Sequence, residues 1–461
     1  MSKFFLISAN INTEPYPVYP LGMAVIAKVL SAAGHRVRQY DYLAEGVSDC
    51  GLKQALSEFV PDFVGISLRN IDNVDSFSDI QGWYLEEIRV LIEIVRQKTA
   101  APVILGGSGF SILPEEILDY LAADYGVVGE GERTICDLIE KLEEGRSVSR
   151  ISKNHGHLLN GKDMVSPRWE KDLINFYIER SGMVNLQTKR GCPFHCHYCS
   201  YPILEGSRLR IKEPEMVVDE IKKLKEEFGV DTIFITDSIF NDPFGHYLIL
   251  AEEIVKHKLN IRWYGFFRPQ GIGSKELNLL KRSGLCAMEV GTDAACDSTL
   301  TAINKQFAFE DVIKFNQACI KEKIPVAHYI MFGGPDETMK TVIEGLKNLQ
   351  KLENCVVFAF CGIRIHPNTR IYTRALQEGV LDPEDSLLKP VYYFSPKLDR
   401  GAMNDCIAEN FKGRRDRIFP PSEALLRMAA MNRFGYRGLL WDRLISFKKN
   451  SKPDRDERIK F

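Results

Sequence analysis

No stretch of the 461 residues approaches the roughly 18 uninterrupted apolar positions of a membrane-spanning helix, and no segment is of low complexity. Membrane-embedded, collagenous and disordered classes are thereby excluded. Charge of one sign is not in excess either: 60 Lys and Arg stand against 62 Asp and Glu, a formal net charge of −2. No global field argues for nucleic acid as a partner. The opening MSKFFLISANINTEP carries a single Lys3 and an apolar run too short for a secretory signal, so a cytoplasmic protein is expected. In that compartment eleven cysteines are expected to be free thiols or ligands rather than disulfides. Eight of them, Cys50, Cys136, Cys286, Cys296, Cys319, Cys355, Cys361 and Cys406, stand apart in unpatterned contexts. Three do not.

The chain is 45% hydrophobic and 26% charged, enough to bury full cores, and its length suggests two or three domains. Residues 1–145 alternate short apolar strands with helical patterns: FFLISA at 4–9, a helix over 21–33, RVRQYD at 36–41, FVGISL at 63–68, a helix around 84–97, VILGG at 103–107, YGVVG at 125–129 and a helix from Glu132. This pattern is that of a doubly wound, Rossmann-like parallel sheet. Ligands of such sheets sit beyond the strand carboxyl ends, where this chain places the loops 10–20, 69–73, Gly106-Gly107-Ser108-Gly109 and Gly129-Glu130-Gly131-Glu132. Glycines there admit close approach of a bulky ligand, or serve a plain turn.

Residues 146–185 are polar and punctuated and read as a linker in which His155 and His157 are solvated. Over 186–400 a second alternation follows: strands at 183–190, 232–238, 261–268, 287–293, 326–334 and 356–367, with helices over 214–228, 246–258, 275–283, 309–322 and 337–351 between them. Six strands and five intervening helices in one direction give a partial (β/α)6 barrel whose active site faces the strand carboxyl ends. The tail, 401–461, holds 14 Lys and Arg against 8 Asp and Glu. Ser422 to Lys449 reads as one or two basic helices with apolar faces (among them Leu425, Leu426, Met428, Phe434 and Trp441), either a cap on the barrel or a surface for an anionic or lipid substrate.

The chemistry lies in Gly191-Cys192-Pro193-Phe194-His195-Cys196-His197-Tyr198-Cys199, three cysteines spaced x3 and x2 after the first strand of the second region. Three thiolates this close form a metal site. Zinc would require His195 or His197 as a fourth ligand, whereas a [4Fe-4S] cluster held by three thiolates leaves one iron open.

Cys192-x3-Cys196-x-Tyr198-Cys199 in this setting resembles the radical S-adenosylmethionine (SAM) superfamily. The resemblance implies that the open iron chelates SAM and that one electron from the cluster cleaves the sulfonium to a 5′-deoxyadenosyl radical. The family's SAM-cradling positions then fall on Tyr198, Asp237 and Ser238 after the second strand, Arg268 after the third, Glu289 on the fourth, and Gly333 and Gly334 after the fifth. Relatives often carry a second acidic residue where this chain has Ser238. The first region in turn resembles the N-terminal domain of cobalamin-dependent (class B) radical SAM enzymes, through Pro20-Leu21-Gly22, Gly34-His35-x-Val37, the Gly106-Gly107-Ser108 loop and Gly129-Glu130-Gly131-Glu132. Together the two resemblances cover about residues 1–395.

The D-x-H-x-x-G signature for ligating cobalt through histidine is absent from the N-terminal domain, whose only histidine is His35, so cobalamin is expected base-off without a histidine ligand. The residues expected near it are Asn12, Tyr16, Arg69, Asn70, Asn73, Gly106, Gly107, Ser108, Gly129, Glu130 and Glu132. The activity implied is methyl transfer from methylcobalamin to an unactivated carbon of a small-molecule or lipid-like substrate. A cobalamin-dependent cyclisation or rearrangement is the alternative within the same architecture, and a non-catalytic cobalamin sensor the alternative outside it. A methylthiotransferase would carry three further N-terminal cysteines, and this region has only Cys50 and Cys136. An electron donor such as flavodoxin or ferredoxin is the expected partner; peripheral membrane contact through the tail is the other possibility raised. Tyr329, His328 and His366, on the fifth and sixth strands, and the run Tyr392-Tyr393-Phe394 are the remaining candidates for substrate contact, with inside and outside open for each.

Overall fold

A computed structural model describes residues 1–77, 82–154 and 158–445. His155 and His157, and the part of the tail beyond residue 445, lie outside the described residues. The N-terminal part is a six-stranded sheet built from β1 (Lys3–Ser8), β2 (Arg36–Asp41), β3 (Phe63–Ser67), β4 (Val103–Gly106), β5 (Tyr125–Val128) and β6 (Ile151–Lys153), in the order β2-β1-β3-β4-β5-β6. Every pairing is parallel. The strands read as apolar runs because helices cover both faces: Leu21–Ala32 and Gly131–Glu143 lie side by side on one, Asp49–Phe59 and Leu85–Arg96 on the other. The order reverses at β1 and β3, so a cleft opens beyond their carboxyl ends between the loop that follows β1 and the loop that starts at Leu68.

The second part is a seven-stranded parallel sheet. Its strands are β7 (Val184–Leu186), β10 (Thr232–Ile235), β11 (Arg262–Phe267), β12 (Leu285–Asp293), β13 (Val326–Phe332), β14 (Val356–Cys361) and β17 (Arg417–Ile418), in the order β17-β14-β13-β12-β11-β10-β7. Two short antiparallel pairs decorate it, β8 (Lys189–Arg190) with β9 (Arg210–Ile211), and β15 (Ile363–Arg364) with β16 (Tyr392–Tyr393). The architecture is α/β throughout, a doubly wound domain followed by an open (β/α) barrel. Among the described residues no helix is long and apolar enough to cross a membrane.

Three sequence expectations are corrected. Residues 146–185 are not a linker: they supply β6, the helix Lys171–Ser181 and the start of β7, and Arg168, Trp169 and Tyr177 pack on the first domain. Their polar composition hid this because several of these polar groups find partners outside the segment; the Tyr177 hydroxyl, for example, donates to Asp41 Oδ2 at 2.9 Å. The barrel has a seventh strand, β17, whose two residues are too few to show periodicity. The tail helix ends at Arg433, and Leu439, Leu440 and Trp441 then turn inward.

These three residues join Met183, Phe234, Tyr264, Ala287, Ala327, Val356 and Phe358 in one apolar cluster at the amino ends of the barrel strands. The tail therefore floors the barrel. The cap reading of the tail holds for the described residues, although Leu426 and Phe434 stay exposed.

Candidate active site

The cluster loop is positioned from both sides. Asp237, at the end of β10, is fully buried and accepts from Thr188 N (2.7 Å), Thr188 Oγ1 (2.5 Å) and Lys189 N (3.1 Å). Burial pushes its pKa up, and Lys189 and these donors oppose that rise. Its carboxylate thus holds the chain entering the loop. Ser238 Oγ donates to Gly191 O at 2.8 Å, one residue before Cys192. Glu205 Oε2 accepts from Gly191 N at 3.0 Å. On the far side, His197 N donates to Ile303 O (3.1 Å) and Asn304 Nδ2 to His195 O (2.8 Å). Arg268 lies over the ring of Phe194 at 3.9 Å and donates to Lys305 O. Tyr198 donates its hydroxyl to Asp293, which also receives Lys305.

The donor set fits a cluster. Cys192, Cys196 and Cys199 are free thiols, and each of Cys192 and Cys199 lies close enough to Cys196 to feel its charge. Burial pushes Cys199 up to about 12, so loading the site with metal must displace a proton there. Among the described residues no three His, Cys, Asp or Glu side chains converge on a single ion. Zinc ligands must meet at one atom, whereas cluster thiolates each take a different iron. His195 is exposed and His197 Nδ1 lies 2.9 Å from Ala302 O.

The second cofactor region is a cavity of about 1330 Å³, mouth included, lined by Gly65, Ser67, Gly106, Gly107, Ser108 and Gly129 from the first domain and by Gln187, Arg190 and Glu205 from the second. It runs down between the strands and the helix Leu21–Ala32 to apolar Phe4, Leu6 and Ile104, and among the described residues no histidine lines it. A slot that is apolar at depth and walled by glycine at its mouth fits the aromatic base and bulky ring of base-off cobalamin. Gly107 has φ +98°, and a Cβ there would stand 2.4 Å from Leu68 O. Gly107→Ala is therefore expected to destabilise the domain by about 1–3 kcal/mol and to weaken cobalamin retention, measured by urea unfolding and by absorbance after gel filtration.

The other expected cobalamin contacts separate into groups. Ser108 Oγ donates to Arg69 O (2.7 Å), and Gly129 N donates to Ser111 Oγ (2.9 Å). Arg69 Nε and Asn70 Oδ1 are buried without a hydrogen-bond partner, and burial lowers the pKa of Arg69. These two are orphaned polar atoms that a ligand can satisfy. Asn12 donates to Tyr84 Oη at 2.9 Å, and Asn73 accepts from Asp75 N at 3.1 Å. Tyr16 reaches across to the barrel, its ring 6.2 Å from Phe234.

Glu130 and Glu132 line the cavity and are also engaged by protein partners: Glu130 Oε1 receives Arg210 and also Arg190 (3.3 Å), Glu130 Oε2 receives Leu159 N (2.8 Å), and Glu132 Oε1 receives Arg190 Nη2 (2.6 Å). They tie the cobalamin-type domain to the residue preceding the cluster loop. Arg190 is a residue that sequence reasoning missed; its only signal was a charge abutting Gly191-Cys192.

Inside the barrel, Glu289 Oε1 accepts from Tyr329 Oη (3.0 Å) and Trp441 Nε1 (3.1 Å), and burial raises its pKa to about 7. Tyr329 stacks on Phe358 at 5.1 Å, and the exposed ring of Phe266 stands beside Phe234. The result is a cluster of aromatic rings around one buried carboxylic acid, with Trp441 beneath it. His328 faces outward, with Thr292 Oγ1 at 2.8 Å, and burial drops its pKa to about 3. His366 lies at the domain boundary with a buried, unpartnered Nδ1. Tyr393 and Phe394 are packing residues, the latter wedged against Gly333 and Gly362. The Gly333 and Gly334 amides donate to Glu337 Oε2, at 2.5 and 3.0 Å.

The raised acid makes stability depend on pH. Between an unfolded carboxyl pKa of about 4.3 and the folded value of about 7, the native state binds more protons, so stability falls as pH rises through that window. Glu289→Gln is expected to flatten the decline by about 3 kcal/mol, read as Tm against pH for the cofactor-free chain.

The fold and site define a two-cofactor enzyme, a Rossmann-like corrin-type cavity set against an iron-sulfur barrel. A family model for the B12 binding domain matches residues 7–139, and one for the radical SAM superfamily matches residues 186–349. The chain belongs to the cobalamin-binding radical SAM enzymes. It is 25% identical, over 78% of its length and 72% of the other's, to tryptophan 2-C-methyltransferase of Streptomyces laurentii. To cytidylyl-2-hydroxyethylphosphonate methyltransferase of Streptomyces wedmorensis it is 23% identical, with 89% of each chain covered. In fold it resembles the radical SAM methyltransferase TsrM from Kitasatospora setae, solved with cobalamin and a [4Fe-4S] cluster, at TM-score 0.83, 24% identity, and 96% and 97% coverage.

Proposed function

We propose that this enzyme methylates a carbon of a small molecule bound at the aromatic cluster around Glu289, drawing on a [4Fe-4S] cluster on Cys192, Cys196 and Cys199, on SAM, and on cobalamin in the interdomain cavity. The observation that carries the reading is the shared wall: Gln187, Arg190 and Glu205, which precede and brace the cluster loop, line the same cavity as Gly106, Gly107 and Ser108. When bound, the cluster with SAM supplies a 5′-deoxyadenosyl radical and cobalamin supplies the methyl group. The chain's own part is to hold these neighbours close and dry. Asp237, Ser238 and Glu205 fix the entry to the cysteine loop, and Asp293 and Arg268 fix its far side.

Tyr198, Asp237, Ser238, Arg268, Glu289, Gly333 and Gly334 remain the proposed surroundings of SAM, and Arg69, Asn70, Ser108, Glu130, Glu132 and the glycines of the cavity those of cobalamin. Asn12, Tyr16 and Asn73 are proposed at the rim of the cleft. The domain limits proposed are 1–145 and 186–400, with 401–461 as a helical basic C-terminal region. A low-potential electron donor of the flavodoxin or ferredoxin type and a cytoplasmic location belong to the same reading. Aromatic walls around a single acid suit a small, flat substrate that presents a hydrogen-bond donor to Glu289.

The test is anaerobic. The chain is reconstituted with iron, sulfide and cobalamin, given methyl-labelled SAM and a low-potential reductant, and assayed for S-adenosylhomocysteine and 5′-deoxyadenosine. Both products together with label on cobalamin support the methyltransferase. Formation of 5′-deoxyadenosine alone moves the enzyme to cyclisation or rearrangement, and neither product from cluster-loaded protein overturns the mechanism.

A further inference from the structure

We infer that Lys305 is a positioning residue that sets how readily the cluster accepts its electron, acting through a buried unit with Asp293 and Tyr198. This rests on the cluster assignment above. The segment just after the helix Asp297–Ala302 is stitched to the cysteine loop: His197 N donates to Ile303 O (3.1 Å), His197 Nδ1 lies 2.9 Å from Ala302 O, and Asn304 Nδ2 donates to His195 O (2.8 Å). Lys305 comes next, only 5% exposed. Its Nζ donates to Asp293 Oδ2, which also receives the hydroxyl of Tyr198, the residue between Cys196 and Cys199. Its charge acts on all three cysteines.

The backbone is shaped for this contact. The β12–β13 register slips between Gly291 and Asp293, and Asp293 itself sits at φ +65°, a conformation non-glycine residues seldom adopt. A bulge at a strand end re-aims a side chain, here onto Tyr198 and Lys305. Holding a strained residue and a buried ammonium in one place costs free energy that simple packing would not require.

The physical consequence follows from charge. Adding one electron to the cluster adds one negative charge, which a buried cation stabilises and a buried carboxylate opposes, both weakly screened away from water. Lys305 favours the reduced form and Asp293 the oxidised form. No bond is made or broken in this step; the electron comes from a low-potential one-electron donor.

The experiment is an EPR-monitored redox titration of the reconstituted full chain, with Ti(III) citrate as reductant and iron and sulfide measured for each sample. Lys305→Met is expected to lower the reduced-to-oxidised ratio at fixed potential about tenfold, equivalent to about 59 mV for a one-electron couple. Asp293→Asn is expected to raise the ratio, the double variant to return near the wild-type value, and Lys305→Arg to preserve it. A structural role alone would move both single variants the same way, and that result overturns the inference. So does an unmoved potential in Lys305→Met accompanied by weaker SAM retention, which would make Lys305 a SAM contact. If Lys305→Met does not load iron, Asp293→Asn decides alone, and a ratio that fails to rise overturns the inference. A wild-type chain that binds no iron and sulfide sinks the cluster assignment instead.

Discussion

Cys196→Ala is expected to abolish 5′-deoxyadenosine formation, a loss well beyond the roughly 10- to 100-fold typical when only a supporting residue of a metal site is removed. Cys196 is partly exposed at the middle of the loop, and its charge reaches Cys192, Cys199 and Arg268, so its thiolate is central to the donor set. Two thiolates cannot hold the cluster against solvent. Ser238→Ala, which removes only the brace on Gly191 O, is expected to fall inside the smaller range. Cys50→Ser, exposed and distant from the motif in sequence, should change nothing. The measurement is product per turnover time with iron content for each variant. Full activity in Cys196→Ala would refute the assignment of the loop.

Arg190→Gln is expected to lower stability by about 3–5 kcal/mol, the usual consequence of removing one partner from a buried ion pair. Burial opposes the charge on Arg190, but Glu132 and Glu130 outweigh it and hold the guanidinium firmly protonated. Arg210 continues to satisfy Glu130 after the change, so the loss falls mainly on Glu132, which then sits buried without a cation. Because Arg190 Nε also donates to Gln187 Oε1 (3.0 Å), and Gln187 to Glu205 (3.2 Å), the disturbance reaches the amide of Gly191. Both cobalamin retention and iron loading should fall together, measured by absorbance and metal analysis alongside urea unfolding. Arg190→Lys keeps the charge but not the planar fork, and an intermediate loss is expected. Unchanged stability in Arg190→Gln would show that the pairs with Glu130 and Glu132 do not hold the domains together.

The two parallel sheets were legible in the sequence because buried strands read as apolar runs between helical periodicities, and nearly every such run became a strand within a residue or two. The cysteine loop was legible for another reason: the spacing of ligands in one tight loop is a local property. The segment 146–185 was misread because its polar groups are satisfied by distant partners, such as Ser31, Asp41 and Ala24, that no local pattern reveals. Asp237, Glu130 and Glu132 were placed in the right region, and the structure adds a bracing contact to each. Position along the chain put them at strand ends, while the identity of the group each carboxylate receives depends on loops folded from elsewhere.

The sequence by itself therefore determined the α/β architecture, the order of the two domains, the cluster loop and the lack of a D-x-H-x-x-G signature in the first domain, since each is written in local periodicity or spacing. Tertiary structure alone decided that the tail floors the barrel with Trp441, that Tyr329 faces Glu289 while His328 turns away, and that Lys305 and Asp293 meet Tyr198. Those facts join residues as much as 152 positions apart, through strand alternation and burial, which only the packed molecule resolves.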